Sequence, residues 1–371
     1  IGNNFKSYQK KNCLLMKKKI LISTGGTGGH VIPASIFFEH LKNDFDVFLS
    51  SDERGMKFLN LEKDKIKIIN TPKLKNNLFL LLFNFFLIIF LTIKSFFFIR
   101  KNNIEVLIST GGYMSLPLCI SAKILNLKIY LFEPNMVIGR ANIFFIKLCE
   151  KIFCYSNNIK NFPKKYLDKI TVINPLLRKK FYSIKSNDKK IIDEVKLLII
   201  GGSQGAEFFD QEIKTAALNL STKYKLTIYQ QSNNENIEVL KNFYNSENIN
   251  YKLFNFKENV SEFISDSNLC ITRAGASTLA ELTFLNVPYL AVPYPFAKDN
   301  HQYENALFYK NKNCCWILDK MILTVRYFQK LIQIIENKDD YLEKKKNMKN
   351  FSYQNSWNNI NEKIIKIINE N

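Results

Sequence analysis

Short apolar runs alternate along the chain with longer stretches whose apolar positions recur at three- and four-residue spacing. That alternation predicts strand–helix–strand units on parallel sheets. Before residue 160 the runs are KILIS, DVFLS, KIKII, EVLIS, KIYLF and KIFCYS. The rhythm resumes with VKLLIIGG, YKLTIY, INYKLFNF, NLCIT and VPYLAVP. Between them lies FPKKYLDKITVINPLLRKKFYSIKSNDKKIIDE, polar and Lys-rich, which reads as a linker. The pattern therefore predicts an α/β chain of two Rossmann-like parallel-sheet domains facing across a cleft. The first spans 16–174 and the second 175–345, and a helical tail, 346–371, is expected to pack back on the first.

One segment breaks the rhythm. NNLFLLLFNFFLIIFLTIKSFFFIRKNN, residues 76–103, is the most apolar stretch and approaches the length of a membrane-spanning helix. Asn84 and Lys94 interrupt it, and it lies between two strands of what should be one sheet, so a crossing there would split the first domain. The expectation is a pair of helices exposing an oily face, ringed by Lys73, Lys75, Lys94, Arg100 and Lys101. Residues 73–101 would thus rest on an anionic membrane surface. The competing expectation is an unusually apolar core helix.

Three strands run into glycine. ILISTGGTGGH, VLISTGGYMS and LLIIGGSQGAE each carry an apolar strand into a glycine turn and then a helix. Glycine lets the backbone approach a ligand, and the helix behind it offers free N–H groups and a positive dipole end, which suits a diphosphate. A P-loop would need GK[ST], which is absent. A dinucleotide fingerprint is incomplete, since Gly26 and Gly28 are followed by Val31 where the third glycine belongs, although Asp52 stands near the expected ribose-binding acid.

Residues 271–305, ITRAGASTLAELTFLNVPYLAVPYPFAKDNHQYEN, hold the densest chemistry. Glu281 sits on a helix after Arg273 and Gly275, placed either to accept ribose hydroxyls or to complete a capping box with Ser277 or Thr278. A proline-rich loop then delivers Asp299, Asn300, His301 and Gln302 to the carboxyl edge of the sheet, where open α/β sheets bind ligands.

Composition narrows the classes. The formal charge of +20 comes from scattered Lys, in a chain heavy in Asn, Ile and Phe. With no nucleic-acid-binding motif, no nucleic-acid partner is expected, and the charge counts only toward an anionic membrane. Seven cysteines without a CxxC pair read as small core residues of a reducing compartment. Residues 1 to 15, ahead of Met16, lack the apolar core of a secretory signal and are expected to be upstream read-through or a disordered tail.

GGTGGH, GGY, EPN, NP-x-x-R, GGSQGA, RAGASTLAE and DNHQ, in this order, resemble the MurG family of bacterial peptidoglycan glycosyltransferases. The resemblance runs from about Met16 to the C-terminal helices. It implies a GT-B fold and an inverting transfer of N-acetylglucosamine (GlcNAc) from UDP-GlcNAc to the 4-hydroxyl of the muramoyl sugar of undecaprenyl-linked lipid I, giving lipid II. It also implies peripheral attachment at the cytoplasmic face of the inner membrane, with envelope-synthesis proteins as partners. No cofactor is implied, because a helix N-terminus and an arginine can stabilise the departing diphosphate without metal.

By the same resemblance, Ser203 and Gln204 would hold the donor diphosphate, Glu281 the ribose, and Ala276, Ser277, Thr278, Leu279 and Ala280 the uridine and phosphate pocket. Gln302 would meet the GlcNAc hydroxyls. Thr27, Gly28, Gly29 and Asn135 would close over the sugar from the first domain, with Tyr113 of GGY also on the substrate. Two positions depart from the family pattern. NPLLR puts Leu177 where the family has Arg, with Arg178 one residue later, and Lys257 stands where an Ile lines the uracil site.

The glycines of GGTGGH would cradle the acceptor diphosphate, and His30 is the candidate base, since histidine exchanges protons near neutral pH. Glu133 is the weaker alternative, beside a substrate-oriented water. Other readings are a diacylglycerol glycosyltransferase, a UDP-GlcNAc 2-epimerase, or a non-catalytic envelope scaffold.

Overall fold

The computed structural model describes residues 17–59, 65–71, 78–186, 188–191, 194–202, 207–255, 260–318 and 324–370. The first half runs β1 (Lys19–Ser23), α1 (Gly28–Leu41), β2 (Asp46–Ser51), α2 (Glu53–Met56), β3 (Ile66–Ile68), α3 (Leu78–Lys101), β4 (Val106–Ser109), α4 (Leu116–Ile124), β5 (Lys128–Glu133), α5 (Arg140–Phe145), β6 (Lys151–Cys154) and β7 (Ile170–Val172). The second half runs β8 (Glu194–Ile200), α6 (Glu207–Ser221), β9 (Lys225–Gln231), α7 (Asn234–Ser246), β10 (Asn250–Phe254), α8 (Val260–Asp266), β11 (Leu269–Thr272), α9 (Ala276–Phe284), β12 (Tyr289–Ala291), α10 (His301–Lys310) and β13 (Trp316–Ile317). Three helices follow, α11 (Thr324–Glu336), α12 (Lys338–Ser352) and α13 (Trp357–Glu370).

Each half is built on a parallel sheet, in the orders β3-β2-β1-β4-β5-β6-β7 and β10-β9-β8-β11-β12-β13. The central strands carry apolar runs buried on both sides because helices cover both faces. In β8, Leu197 and Ile199 join one core while Leu198 and Ile200 join another, and all four are buried. Strand order reverses between β1 and β4 in the first sheet and between β8 and β11 in the second. The glycine turns noted in the sequence follow these strands, so they line the crevices where open sheets bind ligands.

The structure corrects several expectations. Residues 78–101 form one helix rather than two. The supposed linker contains a strand, β7, which extends the first sheet beside β6. β13 adds an edge to the second sheet that no apolar run had announced. The boundary expected at residue 346 falls inside α12, whose Lys345 bonds the carbonyls of Lys189 and Asn286 and whose Met348 packs in the second half. Among the described residues of the tail it is α13 that crosses back, burying Ile360, Ile364 and Ile368 in the core of the first sheet.

The chain passes between halves twice, and the two passages are pinned together. Asn355 donates to the carbonyl of Pro175 (3.1 Å) and accepts from the Tyr182 hydroxyl (3.1 Å), while Asn174 donates to Gln354 O (2.9 Å).

Candidate active site

At the first crevice the turns after β1 and β4 are bonded to each other, Thr110 N to Ser23 O (3.0 Å) and the two hydroxyls of Thr110 and Thr24 (2.9 Å). Thr27 is the N-cap of α1, and its carbonyl accepts from His30 N. The His30 ring lies over the turn after β4. Its Nδ1 is 2.8 Å from Thr110 O, and a carbonyl only accepts, so Nδ1 carries a hydrogen and the neutral ring in this pose has its lone pair on Nε2. Gly111 and Gly112 have φ of +87° and +81°, and a Cβ on either would sit 3.6 Å from that ring. Glycine is therefore required there for backbone conformation first, and it leaves the imidazole an open seat. These turns join Thr27, Gly28, Gly29, His30 and Tyr113 into one cluster.

Asp52, which the sequence offered as a ribose-binding acid, has another task. It caps α2 through Gly55 N (2.9 Å), accepts Gly26 N (2.7 Å) and pairs with Arg54 Nε (2.8 Å). Burial opposes its ionisation, yet these two N–H groups and the guanidinium outweigh burial and hold the carboxyl below the usual range. Arg54 also bonds the Tyr113 hydroxyl. The sequence reading missed Arg54; its proximity to Tyr113 arises only when β2 and β4 flank β1.

Glu133 is excluded as the base by its own contacts. It is buried, with Oε1 accepting Asn135 N (3.2 Å) and Nδ2 (3.0 Å) and Oε2 accepting Gly139 N (2.7 Å) and Asn142 Nδ2 (3.0 Å). Its four acceptor positions are filled by the loop at 135–139 and by Asn142 of α5, which leaves it none to receive a proton in this arrangement.

At the second crevice the N-cap of α9 is Gly275, with Ala276 opening the helix. The capping-box reading of Glu281 therefore fails, because the third helical position is Thr278. Ala276, Ser277 and Thr278 form the half-exposed first turn, and Leu279, Ala280 and Glu281 are buried behind it. Glu281 Oε1 accepts from Arg178 Nη2 at 2.8 Å. Leu177, at the family's arginine position, is fully buried in the second core, and the chain turns so that Arg178 reaches the site. Gln302 Oε1 accepts Tyr294 N at 2.7 Å, and Asp299 pairs with Arg140 of the first half. Ser203, Gln204 and Lys257 lie outside the described residues. Asn135 and Asn305 were not connected by the sequence, yet Asn305 Nδ2 donates to Asn135 Oδ1 across the halves (3.0 Å).

The six cysteines among the described residues are buried, and burial pushes their thiols up, so none is a nucleophile.

Two glycosyltransferase family 28 domains match the chain, the N-terminal domain over residues 20–154 and the C-terminal domain over 196–361. The UDP-N-acetylglucosamine–N-acetylmuramyl-(pentapeptide) pyrophosphoryl-undecaprenol N-acetylglucosamine transferase of Pelagibacter ubique is 57% identical, covering 96% of this chain and 100% of that protein. The chain belongs to the MurG family. The family member from Rickettsia felis is 33% identical over 86% of the chain and 91% of its own length. The fold agrees, since the crystal structure of Acinetobacter baumannii MurG matches with a TM-score of 0.73 at 23% identity, covering 95% of this chain and all of that one. A UDP-GlcNAc 2-epimerase from Neisseria meningitidis bound to UDP-GlcNAc shares the GT-B architecture more loosely, with a TM-score of 0.61 at 15% identity over 95% of this chain. The family's two Rossmann-like domains are thus the two sheets described above, and its members are glycosyltransferases.

Proposed function

We propose that this chain moves GlcNAc from UDP-GlcNAc to the 4-hydroxyl of the muramoyl sugar of undecaprenyl-linked lipid I, producing lipid II for peptidoglycan. The observation that carries the reading is the 57% identity along the whole length of a transferase named for that reaction.

In this reading Nε2 of His30 takes the proton of the acceptor hydroxyl. The hydroxyl oxygen forms a bond to the anomeric carbon, the bond to UDP breaks with its electrons leaving on the diphosphate, and configuration inverts. The hydrogen bond to Thr110 O aims the lone pair and fixes the tautomer. Ser203, Gln204 and the N-terminus of α6 receive the diphosphate, helped by Arg178, whose pairing with Glu281 supports that role. Glu281 takes the ribose hydroxyls, the first turn of α9 shapes the uridine pocket, Lys257 contributes backbone, and Gln302 reads the sugar. Thr27, Gly28, Gly29, Tyr113 and Asn135 belong to the acceptor-side half of the site. No metal enters this scheme.

The exposed face of α3 suits a peripheral seat on the anionic cytoplasmic leaflet, where the lipid-linked acceptor lies. Phe83, Phe86, Phe90, Ile93 and Phe97 are each more than half exposed, with Lys94, Arg100 and Lys101 beside them. Among the described side chains of α3, Asn84, Leu91, Ser95 and Ile99 form its buried stripe, and Ser121 of α4 bonds the Thr92 carbonyl, so α3 is held as a surface helix of the first half.

The test is transfer of labelled GlcNAc to a short-chain lipid I analogue, with a chelator present. Wild type is expected to transfer; His30→Ala should lose roughly 10²–10⁴ in turnover, and Glu281→Ala should raise the donor KM. Silence of wild type with UDP-GlcNAc still bound would overturn the acceptor assignment.

A further inference from the structure

Asn305, on α10, is 2% exposed and makes three hydrogen bonds that reach both halves of the molecule. Its Oδ1 accepts Met136 N (2.8 Å), and its Nδ2 donates to Asn135 Oδ1 (3.0 Å) and to Ala274 O (3.1 Å). Met136 N only donates and Ala274 O only accepts, which fixes the orientation of the amide. The Asn135 amide is fixed in turn, since its oxygen faces Asn305 and its nitrogen donates to Glu133 Oε1 (3.0 Å). Glu133 also holds Gly139 N and Asn142, and a Cβ on Gly111, in the turn under His30, would lie 3.4 Å from Asn142 Nδ2. Ala274, at the other end, directly precedes the cap of α9. A hydrogen-bonded chain thus runs from Asn142, which packs beside the turn under His30, through Glu133, Asn135 and Asn305 to Ala274 ahead of the donor helix, and Asn305 is its member contributed by α10.

We propose that Asn305 is a positioning residue for the transfer. It locks the loop at 134–136 against the donor half so that the acceptor-side and donor-side groups hold one relative placement. The neighbouring cross-domain pairs, Arg140–Asp299 and Lys160–Glu304, involve exposed lysine and arginine side chains and hold the halves only weakly. Asn305 is buried, fully satisfied and directional, so its loss strands a buried carbonyl and a buried amide on opposite sides of the cleft.

The inference rests on the transferase reading, and Asn305→Asp and Asn305→Leu separate it from simple packing. Aspartate keeps the shape but loses both donations; leucine keeps the volume and loses all three bonds. For both, UDP affinity by calorimetry should stay within about twofold of wild type, because UDP is held by the second half alone, while kcat falls at least about tenfold. The preference for UDP-GlcNAc over UDP should fall as well. In an Asn135→Ala background, Asn305→Leu should cost less than it does in wild type, since one of the two bonds to the first half is already gone and the Met136 N bond is what remains to lose. Wild-type behaviour of Asn305→Asp, or effects of Asn305→Leu and Asn135→Ala that simply multiply, would overturn the proposal. So would a variant that loses UDP binding, which would make Asn305 a folding residue. If wild type fails to transfer, the transferase reading falls, while the UDP-GlcNAc to UDP ratio still decides whether Asn305 couples the halves.

Discussion

His30 and Glu133 were both candidates for the proton, and their surroundings separate them. His30 has one ring nitrogen committed to Thr110 O, whereas both oxygens of Glu133 are committed to the loop and to Asn142. Their variants should therefore fail differently. Glu133→Gln places an NH2 group against N–H donors, so about 1–3 kcal/mol of stability should be lost, read as a lower urea midpoint. His30→Gln should cost turnover with stability changed by no more than about 1 kcal/mol. The sequence made His30, Glu281 and the glycine turns legible because each has a fixed spacing from a strand end. It could not show that Glu133 is saturated, that Asp52 binds Gly26, or that Arg178 lies on Glu281, since those partners are distant in sequence. Leu177 illustrates the limit, because one shifted residue reads as damage until the buried leucine and the redirected arginine are seen together.

The helices and strands were legible wherever burial is two-sided. β1, β4, β8 and β11 are central and each carries an unbroken run of buried apolar residues, so they stood out. β7 and β13 are edges of three and two residues, β7 preceded by Lys169 and β13 by Cys314 and Cys315, and are too short to carry a period. In α3 the opposite error arose. Asn84 and Lys94 suggested a break, yet residues 78–101 contain no proline or glycine, and a helix tolerates polar side chains without stopping. Asn84 is buried on the inner stripe and Lys94 faces solvent. Because the aromatic face is solvated, Phe86→Ser with Phe90→Ser should leave the thermal midpoint nearly unchanged. Binding to anionic phospholipid vesicles should weaken by about tenfold or more, measured by co-sedimentation. Unchanged vesicle binding would remove α3 as the membrane contact.

At the scale of the molecule, α13 joins the two halves. Trp357 stacks on His40 of α1 with ring centroids 3.6 Å apart and meets Tyr182 edge-on. His40 is buried, its Nδ1 bonds Asn361, and its Nε2 has no hydrogen-bond partner among the described residues. Burial, with a smaller contribution from Lys179 and against the Asn361 bond, lowers its pKa from 6.5 to about 4. The folded protein therefore carries His40 neutral while the unfolded chain protonates it below pH 6.5. The resulting stability, about 3 kcal/mol, is complete above that value and is lost as pH falls toward 4. Urea unfolding of wild type and His40→Gln should show wild type losing about 2 kcal/mol relative to the variant between pH 7.5 and 5; parallel curves would contradict the burial argument.

The return of α13 also orders events in time. A ribosome releases β1 to β7 first, but their core lacks Ile360, Ile364 and Ile368 until the final helix has been synthesised. The second half can close around β8 to β13 while the earlier half waits. The half made first is the last to be finished, and a nascent chain halted before Trp357 would carry a closed second half beside a first half whose core still lacks three isoleucines.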